Sequence, residues 1–302
     1  MGAMMPIGTQ ERGTGQAPTA NLSAVPGAQA VDRALALLSL VGREAERGIS
    51  LGEIVEASGL NKPTARRLLV ALMRSRLVEQ AEPSRRYFLS DEIYVLGLLA
   101  GRRHSLLDIA MESLRSLSAA TGDTSFLSMR RDAYAVCLHR EEGAYPVRTH
   151  ALQTRDQHPL GVGAGSLAIL AALLEPEAAD ILARNAAILT ERYPAYAGET
   201  LPRAMADTRE RGYALNPGLV VSSSWGVGLP VLFPDGRVAG ALSVAAIDSR
   251  MHPERQVEIV GLMRGEARRI EAKLARLFSR DKGSKPVRNP LSKAVQKETH
   301  HV

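Results

Sequence analysis

Ser50-Leu51-Gly52-Glu53-Ile54-Val55-Glu56-Ala57-Ser58-Gly59-Leu60-Asn61-Lys62-Pro63-Thr64-Ala65-Arg66-Arg67-Leu68-Leu69-Val70-Ala71-Leu72 reads as two short helices separated by a tight turn. Ser50 with Glu53 three residues on makes a capping box, in which each side chain takes the other residue's backbone N–H. Leu51, Ile54 and Val55 bury one face of the first helix, Gly59 gives it a left-handed stop, and Leu60 plugs the turn. Asn61 caps the second helix, where Pro63 is tolerated because first-turn N–H groups lack an intrahelical partner. Ala65, Leu68, Leu69 and Leu72 then recur at i, i+3, i+4, i+7, the buried stripe of an amphipathic helix. Pro63, Thr64, Arg67, Ala71 and Arg74 point away from that stripe. Such a face, small at its start and cationic further along, suits a helix entering a major groove.

The flanks extend the pattern. Val31, Ala34, Leu35, Leu38 and Val41 mark an amphipathic helix that completes a three-helix core. Leu77-Val78 and Tyr87-Phe88-Leu89 read as short strands around the turn Glu82-Pro83-Ser84-Arg85-Arg86, a hairpin with a basic tip. Order and spacing predict a winged helix-turn-helix. The competing reading is a three-helix structural subdomain whose arginines are merely solvated. Charge favours the first: between Asn61 and Arg86 seven basic residues face two acidic ones, so +5 of the chain's formal +6 falls on the second helix and the wing.

At 302 residues the chain has room for two domains and tails. Its single cysteine, Cys137, excludes a disulfide framework and a cysteine-based metal site; within Ala135-Val136-Cys137-Leu138 it reads as a small buried hydrophobe. The seven histidines show no metal-ligand spacing, and neither metal nor cofactor is predicted. The longest apolar run, Leu167 to Leu174, is far too short to span a bilayer, and Met1 to Pro6 lacks the basic start of a signal peptide, so a cytoplasmic protein without a membrane partner is expected.

Composition and periodicity divide the chain into a disordered leader (1–28), the winged helix-turn-helix (29–90), a linker helix (91–104), an α+β domain (105–280) and a disordered basic tail (281–302). In the α+β domain strands are expected at Ser125–Met129, Tyr134–His139, Val147–Ala151, Leu219–Ser223, Val227–Phe233 and Val238–Ile247. Helices are expected near Ser105–Gly122, Ser166–Leu174, Glu177–Ile188, Leu201–Arg211 and Pro253–Phe278, lying to one side of an antiparallel sheet. Gly161-Val162-Gly163-Ala164-Gly165 superficially matches a dinucleotide fingerprint, but the third glycine comes too soon and no buried strand precedes it. There is no Gly-x-Ser-x-Gly elbow, and Ser222-Ser223-Ser224 has no nearby His, so an enzyme is not expected.

The chain resembles the IclR family of bacterial transcriptional regulators over about residues 29–280. The resemblance rests on Ala30-Val31-Asp32-Arg33-Ala34-Leu35, Ser50-Leu51-Gly52-Glu53-Ile54, Pro63-Thr64-Ala65-Arg66-Arg67-Leu68-Leu69, Thr208-Arg209-Glu210-Arg211-Gly212-Tyr213 and Gly236-Arg237-Val238-Ala239-Gly240-Ala241-Leu242-Ser243-Val244. It implies a winged helix joined by a linker helix to a GAF-like effector-binding domain, a homodimer or dimer of dimers, and an operator in double-stranded DNA. Carried to matching positions, DNA contacts fall on Arg33, Ser50, Thr64 and Arg67, and Arg66 on the same helix is a further candidate contact. Arg67 can reach a guanine edge or a phosphate. Lys62, Arg85 and Arg86 are expected on phosphate.

The same resemblance implies an effector pocket at Val147 and His150, the turn Gly163, Ala164, Gly165 and Ser166, then Asn216, Ser224, Trp225, Gly226 and Ser243. Backbone N–H groups at a helix N-terminus suit a carboxylate; the bland alternative is a glycine-rich connection that only permits close packing. Trp225, the only tryptophan, stacks on an aromatic ligand or belongs to the core. Many relatives carry Gly-Lys-Ala where this chain has Ser166-Leu167-Ala168, and acidic residues where it has Asn216-Pro217-Gly218, which argues against a metal or a cationic ligand. The expected effector is a small organic acid, aromatic first and a short keto acid second. The competing function is a constitutive or architectural DNA binder whose second domain only dimerises.

Overall fold

The capping box at Ser50 closes, and it starts the helix pair on which the first unit is built. In the computed structural model, which describes residues 28–147 and 152–278, Ser50 Oγ accepts from the Glu53 N–H and Glu53 Oε2 accepts from the Ser50 N–H at 2.7 Å. The expected leader, except residue 28, and the tail lie outside the described residues, as do residues 148–151 of the expected strand Val147–Ala151.

Three helices, α1 (Gln29–Arg43), α2 (Leu51–Ser58) and α3 (Lys62–Arg74), pack around Leu37, Val41, Ile54, Ala65, Leu69 and Leu72. Gly59, at φ 66°, ends α2, and Asn61 Oδ1 accepts the Thr64 N–H at 2.9 Å to begin α3. The buried stripe of α1 is turned from the expected one. It centres on Leu37, Leu40 and Val41, leaving Val31 (59% exposed) and Leu35 (52%) as an apolar strip on the neighbouring face. β1 (Val78–Gln80) pairs antiparallel with β2 (Tyr87–Leu89) to form the wing, and reciprocal backbone bonds between Ile49 and Tyr87 dock it on the start of α2. α4 (Asp91–His104) follows.

A second compact unit begins at His104. Its strands β3 (Thr124–Arg131), β4 (Tyr134–Glu141), β5 (Gln157–Pro159), β6 (Ala214–Pro217), β7 (Ser224–Leu232) and β8 (Val238–Ile247) form one antiparallel sheet in the order β5-β4-β3-β8-β7-β6. Alternation decides what each face meets. Leu127, Val227, Leu229, Leu242 and Val244 pack on α5 (Leu106–Thr121) and α9 (Pro253–Phe278). The opposite face carries Ala135 and Ala241 beneath α6 (Ala164–Ala171), with α7 (Glu175–Arg192) and α8 (Thr200–Arg211) around it. Helices therefore cover both faces, not one as the sequence pattern had suggested. The small residues on the second face leave space between sheet and helix, and the pocket described below occupies it.

Two strand assignments change. Residues 219–223, expected as a strand, form a turn, and the strand is the preceding Ala214–Pro217. Pro217 lacks an N–H for the ladder and Gly218 turns the chain at φ 76°, where a Cβ would lie 2.4 Å from Ser222 O. β5 was unforeseen because its three residues, Gln157-His158-Pro159, carry no apolar alternation; Ala135↔His158 pairing on β4 holds it.

Candidate nucleic-acid interface and ligand pocket

Lys62, Pro63, Arg66, Arg67, Val70, Ala71 and Arg74 line one shallow, exposed strip along α3. Among the described residues none of its four cations is held in an ion pair, so the charge is available to an outside anion. Arg33 is exposed on α1 and Thr64 is half-buried at the start of α3. Ser50 Oγ accepts at the cap of α2, which leaves its own O–H free to donate.

The wing arginines differ from each other. Arg85 stands at the tip, 69% exposed, paired with Glu82 at 2.7 Å. Arg86, expected on phosphate, turns inward: Nε donates to Arg47 O at 2.9 Å, and Nη2 to Gly48 O at 3.1 Å and to Glu53 at 2.7 Å. Its directional donors fasten the wing to α2, a role invisible in a sequence where Arg85 and Arg86 are equivalent. Burial alone would raise the Glu53 carboxyl, but hydrogen bonds from Ser50, Arg47 and Arg86 outweigh it and hold the pKa at about 2.

In the second unit a cleft of about 60 Å³, partly open to solvent, lies between the sheet and the N-terminus of α6. Its floor is the small-residue face of the sheet: Phe126 and Ser128 on β3, Ser243 on β8, Ser224 and Gly226 on β7, Asn216 on β6. Val162-Gly163-Ala164-Gly165-Ser166 forms the wall. Gly228 lets α6 settle there, since a Cβ at this position would lie 2.3 Å from Ala164 O. Above Gly165 the Oγ atoms of Ser243 and Ser128 come within 3.0 and 3.4 Å of where its Cβ would be. Both serines, like Ser224, are at least nine-tenths buried as residues and line the cleft, and among the described residues no hydrogen bond claims their hydroxyls.

The first-turn N–H groups of α6, from Ala164, Gly165 and Ser166, are likewise unclaimed among the described residues. The Ser166 hydroxyl is occupied, accepting the Gly161 N–H at 2.8 Å, so it shapes the turn instead of reaching the cleft. No Asp, Glu, Lys or Arg among the described residues lines the cleft. Its two titratable members are neutral at pH 7: burial lowers the pKa of His158, and burial followed by the charge of Asp156 pushes the Cys137 thiol up to about 12.

Of the expected pocket residues the cleft unites Gly163, Ala164, Gly165, Ser166, Asn216, Ser224, Trp225, Gly226 and Ser243. Val147 is 54% exposed and outside the lining, and His150 lies outside the described residues. Trp225 packs against the core that includes α9 residues and also contributes to the cleft lining. Phe126, Ser128, Cys137, Leu152, His158 and Val220 were missed. A signal existed for Ser128, a serine two residues after Phe126 on an otherwise buried strand. Leu152 and Val220 sit in loops, where periodicity says nothing.

Among the described residues no cluster of His, Cys, Asp and Glu could hold a metal ion, and no helix is long and apolar enough to cross a membrane. A free cationic helix in a winged three-helix unit, with a neutral cleft in a separate α+β unit, defines a DNA-binding protein of two-domain regulator type. Residues 30–82 match the IclR helix-turn-helix domain and residues 100–272 the C-terminal domain of bacterial IclR transcriptional regulators. The chain belongs to the IclR family and is a transcriptional regulator with a helix-turn-helix DNA-binding domain, not an enzyme. It is 27% identical to the DNA-binding transcriptional repressor YiaJ of Escherichia coli, over 85% of this chain and 92% of that protein. It also resembles a crystal structure of an IclR transcriptional regulator from Alicyclobacillus acidocaldarius, with 27% identity, a TM-score of 0.62, and coverage of 82% and 98% of the two chains. An IclR homologue from Microbacterium hydrocarbonoxydans shares the fold at 18% identity and a TM-score of 0.59, covering 82% and 99%.

Proposed function

We propose that this regulator is controlled by a small organic acid bound in the cleft beside α6, and that it governs a catabolic operon from the cytoplasm. The observation that carries the reading is the convergence of unclaimed α6 N–H groups with three unclaimed serine hydroxyls on one cleft. Donors that no protein group claims are open to a ligand oxygen, and one carboxylate can accept from several of them at once. The lining is mostly apolar with a few polar groups, as in small-molecule sites, and Phe126 with Trp225 offers apolar contact to an aromatic ring. The Microbacterium homologue was crystallised with 4-hydroxybenzoate, which agrees with an aromatic acid as first choice.

On the DNA side, α3 enters the major groove with Thr64, Arg66 and Arg67 toward the bases, while Lys62, Arg33, Ser50 and Arg85 meet the backbone. The competing reading, a constitutive binder with an inert second domain, leaves the unclaimed serine hydroxyls unexplained. A thermal-melting screen separates the two. An acid binding only the folded chain at a hundred times its Kd raises stability by about 2.7 kcal/mol. A broad panel of aromatic and keto acids giving no shift would favour the constitutive binder.

A further inference from the structure

Tyr196 lies behind the cleft wall, is 3% exposed, and is absent from the lining. Its hydroxyl accepts the Gly163 N–H at 3.1 Å and donates to Asn216 Oδ1 at 2.6 Å. The order of these two bonds is forced. A backbone N–H can only donate, so the phenol oxygen is the acceptor there and its proton goes to Asn216. Burial raises the pKa of Tyr196, which keeps that proton in place. With Oδ1 held by the Tyr196 proton, the Asn216 amide keeps its NH₂ group free for the cleft it lines.

We infer that Tyr196 is a positioning residue that makes this cleft a hydrogen-bond donor, and that the cleft thereby selects a monocarboxylate over its amide. The inference rests on the reading of the cleft as the effector site. Donors then gather around α6: the Asn216 NH₂, the N–H groups of Ala164 and Gly165, and serine hydroxyls that can turn to donate. A carboxylate accepts from all of them. A carboxamide would bring its own NH₂ against one of these donors, and an amine would meet the same opposition. The absence of a cation in the described lining matters as well, because neutral donors can stabilise one negative charge far better than two.

Asn216→Asp is the discriminating variant, since it keeps the shape and the Tyr196 bond while replacing the inward donor by a charged acceptor. Full-length wild-type chain, Asn216→Asp and Tyr196→Phe would be titrated with matched pairs (benzoate and benzamide, phenylacetate and phenylacetamide, pyruvate and pyruvamide), following Trp225 fluorescence. Wild type should bind an acid at least about tenfold more tightly than its amide, the scale of one charge-assisted hydrogen bond. Asn216→Asp should invert the preference, and Tyr196→Phe should narrow it because the amide is then free to rotate. A merely structural role would weaken acid and amide together. Equal losses for both, or an unchanged acid-to-amide ratio in Asn216→Asp, would overturn this inference alone. No response of wild type to any member of the pairs would overturn the reading of the cleft as well.

Discussion

Arg67 and Arg86 illustrate how two arginines of one DNA-binding unit do different work. Arg67 is exposed on the free face of α3, so Arg67→Ala should cost about 1–3 kcal/mol of specific operator affinity if it forks onto a guanine. Lys62→Ala should instead weaken all sequences alike and reduce the salt slope by about one. A salt titration on operator and random DNA tells the two apart. Arg86 holds the wing to Arg47, Gly48 and Glu53, so Arg86→Ala should lower folding stability by roughly 1–3 kcal/mol, with little change in melting for Arg85→Ala. Equal melting temperatures for the two variants would return Arg86 to the phosphate role. Glu53 carries the matching pH dependence. Its carboxyl is held at about 2 against an ordinary 4.5, so the folded state binds fewer protons than the unfolded one in that window. The stabilisation is present above pH 4.5 and is lost as pH falls toward 2, and Glu53→Gln should flatten this acid limb in melting experiments.

Among the elements, α6 matters most, because its first turn is the cleft wall. Gly228 permits its seat, and Gly228→Ala should push α6 off β7, costing about 1–3 kcal/mol as an overpacked contact and weakening acid binding together with it. Unchanged acid affinity in a folded Gly228→Ala chain would show that the position of α6 does not matter to the site. The elements were legible in the sequence wherever chemistry is local. The Ser50–Glu53 box, the Asn61 cap and the glycine stops at Gly59, Gly122 and Gly212 each declare a helix end through one side chain or one backbone conformation. Long-range pairing left no such mark. β5 exists because β4 supplies its partner, and the turn at 219–223 consists of residues whose types alone suit a strand. The site follows the same division. Gly163, Gly165, Ser224 and Ser243 announce themselves, whereas Tyr196 reaches Asn216 from twenty residues away and only the fold reveals it.

At the scale of the whole molecule the first unit leaves several large apolar side chains exposed on α1 and α4. Val31 and Leu35 on α1, with Tyr94, Leu96, Leu98 and Leu99 on α4, are each at least 46% exposed. One winged helix reads half a palindrome, so a homodimer is expected, with half-sites about one helical turn, roughly 10 bp, or a multiple of it apart. Light scattering and footprinting test this together; a monomer protecting a single isolated half-site would refute it. The central claim is that cleft and DNA face are coupled, and the most direct measurement is operator affinity of the full-length chain with and without a saturating acid identified by melting. The account predicts a change of about 5- to 150-fold in either direction, reciprocated by an equal change in acid affinity when operator is bound. An acid that stabilises the chain yet leaves operator affinity unchanged would contradict it.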